Sequence, residues 1–283
     1  MANSFQEELT ERFGPTAEQD GGLTGGDVGD PAFLHRVLTR RTHRRYADRP
    51  VEPALTDLLC AAALSASSKS DFQQASIVRV ADPARRAALA ALVPSMPWIG
   101  AAPLFLVFCG DARRLQRIGE LRSHPQDNGN LEGFFNAAVD AALVMQTFIL
   151  AAESAGLGCC PISVLRNKVD AVGEILSLPE KVFPVAGLCV GWPAGEGHVS
   201  MRLPPAVTLH VDRYDDSDLP AQIDRYDRMR DARHSIPPDQ QRAPERFGTA
   251  EFYGWSEDKA RQAAMPEGAA FPPWLRRQGF SFD

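Results

Sequence analysis

The longest apolar segment of this chain runs from Glu132 to Gly158 and reads EGFFNAAVDAALVMQTFILAAESAGLG. Its apolar residues recur at helical spacing, and the Gly-Leu-Gly ending is a typical helix stop. A helix of this length can cross a bilayer, but polar residues interrupt it at Asn136, Asp140, Gln146 and Glu153. That spacing favours a helix buried in a soluble core or a dimer interface. Asp140 is expected to be a hydrogen-bonded buried acid rather than a catalytic base.

Segments of strand and helix pattern alternate along the rest of the chain. Residues 103–111 (PLFLVFCGD) and 183–193 (FPVAGLCVGWP) are continuous apolar runs, as expected of strands covered on both faces. This alternation indicates an α/β or α+β class in which helices are layered on a sheet. Further strands are predicted at 76–82 and 159–163, helices at 31–41, 51–67, 83–93 and 167–178, and a polar tail, helical in pieces, from Asp215.

The N-terminal residues differ in composition from the rest of the chain. Residues 15–30 (PTAEQDGGLTGGDVGD) are rich in glycine and have little to bury, so residues 1–30 are predicted to form a flexible leader. The folded domain is expected over residues 31–283, ending in a helical extension. The first residues lack the apolar run of a secretion signal, and the cysteines lie mostly in apolar runs. Both features predict a cytoplasmic location with reduced thiols.

Four arginines fall within residues 40–45, in the segment RRTHRRYADRP. The whole chain has 30 Lys and Arg against 36 Asp and Glu, a formal charge of −6, which argues against a nucleic-acid-binding surface. The cluster is therefore either a local anion site or a solvated basic turn. Guanidinium groups match the oxygens of a phosphate monoester. The chain contains neither a GxGxxG motif nor a P-loop, and no cysteine or histidine spacing predicts a metal site.

Two further segments carry polar groups that suit a phosphorylated cofactor. The serine loop, residues 65–74 (SASSKSDFQQ), follows an apolar helix and offers hydroxyls and amides for a ribityl chain or the edge of a heterocycle. Arg202 follows a buried strand in an extended stretch, from which it can bring one more cation to the same anion. Each signal is weak by itself, and together they favour the anion site over the solvated turn.

The order of these segments resembles the FMN-dependent nitroreductase family, and most closely its NADPH-preferring, oxygen-insensitive nitroreductase and flavin reductase branch. The resemblance covers about residues 33–283. It rests on RRTHRRYADRPV, the serine loop with Gln73, SIVRVAD, APLFLVFCGD, VDAALVMQTFILAAESAGLG, ILSLPEKVFPVAGLCVGWPA, RLPPAVTLH, WSEDKAR and WLRRQGF, in that order.

The resemblance implies an α+β sandwich with a central mixed β-sheet flanked by helices, and an intertwined homodimer with FMN between the subunits. The arginine motif and Arg202 would hold the phosphate and ribityl, the serine loop would lie beside the flavin, and a backbone N–H of residues 161–164 would reach flavin N5. The flavin would perform the chemistry, so neither a catalytic side chain nor a metal is implied. The implied cofactor-binding residues are Arg40, Arg41, Thr42, Arg44, Ser68, Gln73, Pro161, Ile162, Ser163, Val164, Arg166 and Arg202.

The chain also departs from the pattern of that branch. Val164 matters most, because its side chain would crowd the pocket if it faced the flavin. The region 234–254 differs in length from the branch, and Arg242 and Arg246 are its candidate ligands for the 2′-phosphate of NADPH. The other departures are Met96 at a flavin-contacting glutamine, Lys69 at a serine, Ser163 at a small glycine beside N5, and Ser200 at a basic residue.

The implied activity is a ping-pong oxidoreduction, in which NADPH or NADH reduces FMN and a small-molecule acceptor reoxidises it. Nitroaromatics, quinones and free flavin are the expected acceptors, and neither nucleic acid nor a membrane is an expected partner. One alternative is a pathway-specific flavin dehydrogenase or oxidase of the same fold. Another is a non-catalytic flavin-binding regulatory protein whose glycine-rich leader contacts a partner.

Overall fold

The computed structural model describes residues 5–15, 29–126 and 129–282. The chain forms two compact units. Met1–Arg40 with Val199–Pro266 form one, here the helical unit, and Arg41–His198 with Glu267–Asp283 form the other, here the sheet unit. The described helices are α1 (Gln6–Phe13), α2 (Pro31–Thr39), α3 (Pro53–Leu64), α4 (Pro83–Ala91), α5 (Trp98–Ala101), α6 (Arg113–Arg122), α7 (Leu131–Ser154), α8 (Val169–Leu176), α9 (Pro205–Thr208), α10 (Leu219–Arg233), α11 (Pro244–Phe247), α12 (Trp255–Ala263) and α13 (Phe271–Arg277).

Among its described residues, the sheet unit has four strands, β1 (Ala75–Arg79), β2 (Leu104–Asp111), β3 (Gly158–Ile162) and β4 (Val182–Gly191). Their order is β1-β2-β4-β3, and each neighbouring pair is antiparallel. The α+β class is confirmed. The mixed character expected of the sheet is limited, among the described residues, to one parallel bridge between Thr42 and Cys159.

Both faces of the sheet are covered, as the continuous apolar runs predict. Successive side chains of a strand point to opposite faces, so Leu106 and Phe108 of β2 pack in a core cluster with Phe148 of α7. The neighbouring Phe105 and Val107 pack on the other face, in a second cluster that includes residues of α4 and α8. All of β2 is buried.

Helix α7 is the segment singled out by its apolar length. It passes the length and composition test for a membrane span, with a mean hydropathy of 1.6, but its inner face packs on α3 and β2. Asp140 lies on that face, 1% exposed, and accepts hydrogen bonds from the serine loop. The predictions of a core helix and of a hydrogen-bonded buried acid are confirmed.

The helical unit contains an element that the N-terminal composition did not predict. Helix α1 lies within the leader predicted for residues 1–30. Its Leu9 and Phe13, with Phe5 just before the helix, pack in a small apolar cluster with Leu38. Most of the glycine-rich stretch, residues 16–28, lies outside the described residues. Helix α6 was also missed, because the segment Arg113–Arg122 is mostly charged and polar, with only Leu115, Ile118 and Leu121 as its apolar stripe.

Candidate functional site

The arginine segment is fastened along β3 in the sheet unit. Thr42 bridges Cys159, and the His43 N–H donates to the Cys159 carbonyl at 3.1 Å. The close approach requires glycine on the strand, because a Cβ at Gly158 would lie 2.7 Å from the Cβ of His43. Residues 42 and 43 therefore have a fixed backbone position beside the outer strand.

The Tyr46 hydroxyl also holds this segment in place through hydrogen bonds. It lies 2.7 Å from the His43 carbonyl and 3.3 Å from the Cys189 carbonyl. Burial raises the pKa of the Tyr46 hydroxyl above its ordinary value, so the hydroxyl stays protonated and can donate. Tyr46 also packs against the second core cluster, so it lies behind the arginine segment.

The arginine side chains leave this fixed backbone in different directions. The Arg44 guanidinium carbon lies 5.5 Å from the ring centroid of Trp98. Burial raises the pKa of the nearby Cys160 thiol, and the positive charge of Arg44 opposes that rise. Arg41 donates to the Glu196 carbonyl at 3.3 Å. Arg44 is exposed at the surface, where its guanidinium can meet an anion.

The strand β3 ends in a 3₁₀ turn, Ser163–Lys168. Pro161 and Ser163 are exposed, whereas Ile162 is buried. The first N–H groups of such a turn have no acceptor within it. Both Thr42 and this turn adjoin β3, so the sheet brings the arginine segment and the predicted N5-contacting segment to the same edge.

Three residues that the sequence analysis singles out make contacts within the sheet unit. Val164 packs against the second core cluster, so its side chain contacts the core. Met96 packs against the same cluster. Arg166 donates to the Val185 carbonyl of β4, which ties the turn to the neighbouring strand.

The serine loop is organised by a single buried carboxylate. Asp140 of α7 accepts from the Ser68 hydroxyl at 2.7 Å, from the Lys69 N–H at 3.0 Å and from the Gln74 N–H at 2.9 Å. The Ser68 oxygen in turn accepts from the Gln73 N–H at 2.6 Å. The loop residues that the sequence singles out, Ser68 and Gln73, are therefore hydrogen-bonded to each other.

Arg114 of α6 is a contributor that sequence reasoning missed. It donates to the carbonyls of Gln73 and Ala75 and to Asp111 at 2.9 Å. No motif in the surrounding sequence distinguishes it from other surface arginines. Together with the loop it encloses a cavity of about 220 Å³, lined by Leu64, Ala66, Ser67, Ser68, Gln73, Ala75, Arg114, Asp140 and Val144.

The predicted residues thus fall into separate groups. Within the sheet unit, the serine loop precedes β1 at one edge, and the arginine segment lies outside β3 at the other. Four inter-strand spacings separate them, about 19 Å at ~4.8 Å each. Arg40 and Arg202 belong to the helical unit, where Arg202 is exposed.

Comparison with known protein families covers almost the whole of this architecture. Residues 37–192 match the model of the nitroreductase family, and residues 200–283 match the model of the nitroreductase family C-terminal domain. The chain belongs to the nitroreductase family. The first match spans the arginine segment, the serine loop and the turn after β3, and the second spans Arg202.

Individual members of the nitroreductase family support this assignment. The chain is 36% identical to an FMN reductase (NAD(P)H) of Bacillus subtilis over 69% of its length and 79% of the relative. It is 38% identical to an oxygen-insensitive NADPH nitroreductase of Salmonella typhimurium over 64% of its length and 74% of the relative. The solved structure of NfrA2 from B. megaterium superposes with a TM-score of 0.81 at 32% identity, covering 90% of this chain and all of that one.

Proposed function

We propose that this nitroreductase-family protein is an FMN-dependent oxidoreductase that takes hydride from NADPH or NADH and passes it to a small-molecule acceptor. One observation carries the proposal: β3 places the arginine segment and the turn at Ser163 on one sheet edge. The relatives are named for FMN, nitro compounds and NAD(P)H, and the activity predicted from the sequence agrees with those names.

The donor set at this edge fits the phosphate and ring of FMN. Arg44 supplies a guanidinium group and Thr42, two residues before it, a hydroxyl, which suit phosphate oxygens. The turn beginning at Ser163 supplies backbone N–H donors to the ring edge. FMN, when bound, supplies the atom that accepts and releases hydride, so the chain needs no acid or base of its own. The fixed cations and N–H groups instead stabilise negative charge on the reduced cofactor.

We also propose that a second copy of this chain completes each site. One sheet unit carries the serine loop and the arginine segment at opposite edges of its sheet, and we propose that these two edges contribute to different flavin sites. Helix α7 carries an unpartnered apolar stripe with four-residue spacing, which suits a homodimer interface. The exposed fractions along it are 58% at Leu131, 59% at Phe135, 39% at Val139 and 42% at Leu143.

For the donor, the two candidate arginines of the helical unit differ in their surroundings. Arg242 is paired with Asp258 at 3.3 Å, whereas Arg246 is exposed and lies over the Phe247 ring at 4.9 Å. Arg246 is therefore the better candidate for the 2′-phosphate of NADPH. We propose a cytoplasmic location and neither nucleic acid nor a membrane as partner. Among the described residues the five cysteines are free thiols, which suits a reducing compartment.

The first prediction tests the activity itself. The purified protein, loaded with FMN under anaerobic conditions, should lose its visible flavin absorbance on addition of NADPH or NADH, and the two rates give the donor preference. Reoxidation by a nitroaromatic, a quinone and free flavin should restore the absorbance. A narrow response to one acceptor would favour the dedicated dehydrogenase. Bound flavin that neither donor bleaches would favour the regulatory protein and overturn the proposal.

The second prediction concerns the phosphate contact. Arg44→Ala should raise the dissociation constant for FMN by about 10- to 100-fold, because a charge-assisted hydrogen bond contributes about 1.5–3 kcal/mol. Arg45→Ala is the matched control. It removes the same charge from the next residue, which points away from Arg44 in extended backbone. Equal FMN affinity of the two variants, measured by flavin fluorescence, would contradict the assignment.

A further inference from the structure

Arg12 of helix α1 is a buried arginine in the helical unit, only 5% exposed. Its Nε donates to the Leu38 carbonyl at 2.9 Å and its Nη1 to the Ser200 carbonyl at 2.8 Å. Its Nη2 donates to the carbonyl of Arg40. One guanidinium therefore joins the end of α2 to a segment 188 residues away along the chain from Arg12.

The backbone of Arg12 adds a further bond to the second of these segments. The Arg202 N–H donates to the Arg12 carbonyl at 2.7 Å. The intervening Met201 carbonyl accepts from the Tyr226 hydroxyl at 3.2 Å, and Tyr226 itself is buried. The Ser200 carbonyl, the Met201 carbonyl and the Arg202 N–H are therefore each hydrogen-bonded.

Helix α1 is itself bonded to two other helices, α10 and α2. At its C-terminal end, Arg233 of α10 donates to the Thr10 carbonyl at 2.9 Å and to the Glu11 carbonyl at 2.7 Å. On its other side, Glu8 pairs with His35 of α2. The last carbonyls of a helix lack the usual partner within it. The Thr10 carbonyl also accepts from the Gly14 N–H at 2.9 Å, and Arg233 supplies a donor to the Glu11 carbonyl.

The two segments that Arg12 joins carry Arg40 and Arg202, which are the two proposed phosphate ligands in this unit. The Arg12 guanidinium bonds to the carbonyl of Arg40 itself and to that of Ser200, two residues before Arg202. The bond to the Arg202 N–H is made by the Arg12 backbone carbonyl. Helix α1 precedes residue 37, where the match to the nitroreductase family begins. A feature outside the family-matched region therefore contacts the backbone of two residues assigned to cofactor binding.

We propose that Arg12 is a positioning residue for the flavin phosphate, fixing the relative position of Arg40 and Arg202 from helix α1. This inference rests on the proposed function. Arg12 is bonded through all three of its guanidinium nitrogens to protein carbonyls and does not itself bind the cofactor. The flavin ring, which neither Arg40 nor Arg202 is proposed to contact, should be insensitive to Arg12.

The test compares FMN with riboflavin, which has the same ring and ribityl but no phosphate. Arg12→Ala should raise the dissociation constant for FMN by about tenfold, the scale typical of removing a group that orients a ligand-binding side chain. The dissociation constant for riboflavin should change much less, by about twofold at most, because the paired charges of Arg40 and Arg202 act mainly on the phosphate that riboflavin lacks. Fluorescence titration of each flavin gives both constants without any measurement of turnover.

Two further variants separate positioning from charge and from folding. Arg36→Ala removes an exposed arginine of α2 in the same unit and should leave the FMN affinity unchanged. Arg12→Lys keeps the charge but replaces a planar fork with a point donor that does not span three divergent carbonyls. It should weaken FMN binding while folding normally, which keeps the test valid if Arg12→Ala does not fold.

The outcomes are distinct. Wild-type protein that binds neither flavin would overturn the proposed function, and this inference with it. Wild-type protein that binds FMN, with Arg12→Ala and Arg12→Lys binding it equally well, would overturn the positioning role alone. Equal weakening of FMN and riboflavin by either variant would also overturn it, because that pattern indicates a general structural role for α1.

Discussion

Replacing Asp140 with alanine should lower the free energy of unfolding by about 3 kcal/mol, because it leaves one buried and two partly buried donors without their charged acceptor. The donors are the Ser68 hydroxyl and the backbone N–H groups of Lys69 and Gln74. Asp140 is 1% exposed, and its carboxylate is the charged acceptor that the substitution removes. Urea unfolding followed by circular dichroism measures the difference.

The same change should also weaken FMN binding, since Asp140 fixes the conformation of the serine loop. Ser70, Asp71 and Gln73 have positive φ values of 49°, 57° and 53°, a conformation that non-glycine residues adopt only when other contacts hold it. Asp57→Ala is the control: it removes an acid whose side chain is 72% exposed, and its effect should stay within about 0.5 kcal/mol. Comparable stability losses in both variants would refute the organising role of Asp140.

The second large effect is expected at the apolar stripe of helix α7. The double substitution Phe135→Glu and Leu143→Glu would place unpaired carboxylates in the proposed interface, where burying each costs several kcal/mol. The protein should become a monomer and lose FMN affinity by at least about 100-fold, or about 3 kcal/mol. Light scattering coupled to size exclusion gives the mass, and fluorescence titration gives the affinity.

Helix α6 offers the control for this experiment. Leu121 is an apolar residue that is 78% exposed but lies outside the α7 stripe, so Leu121→Glu should change neither mass nor affinity. A wild-type protein that is monomeric and still binds FMN tightly would refute the two-copy site. A double variant that stays dimeric would place the interface elsewhere on the chain.

The sequence alone determined the elements whose patterns are local. The strands β2 and β4 are continuous apolar runs, and such runs indicate strands covered on both faces regardless of their neighbours. The length and polar interruptions of Glu132–Gly158 identified a core helix, and the glycine pair at its end set its C-terminal limit. The order of these segments also identified the family, because order and spacing are properties of the chain itself.

Only the tertiary structure decided how distant residues meet. Asp140 bonds to loop residues 66 to 72 positions away along the chain, and Arg12 bonds to one 188 positions away. The sequence also did not reveal that the Val164 side chain faces the core cluster. Nor did it reveal that the serine loop and the arginine segment lie at opposite edges of the sheet. Periodicity records which face of an element is buried. It does not record which remote group faces it, because the fold as a whole sets that pairing.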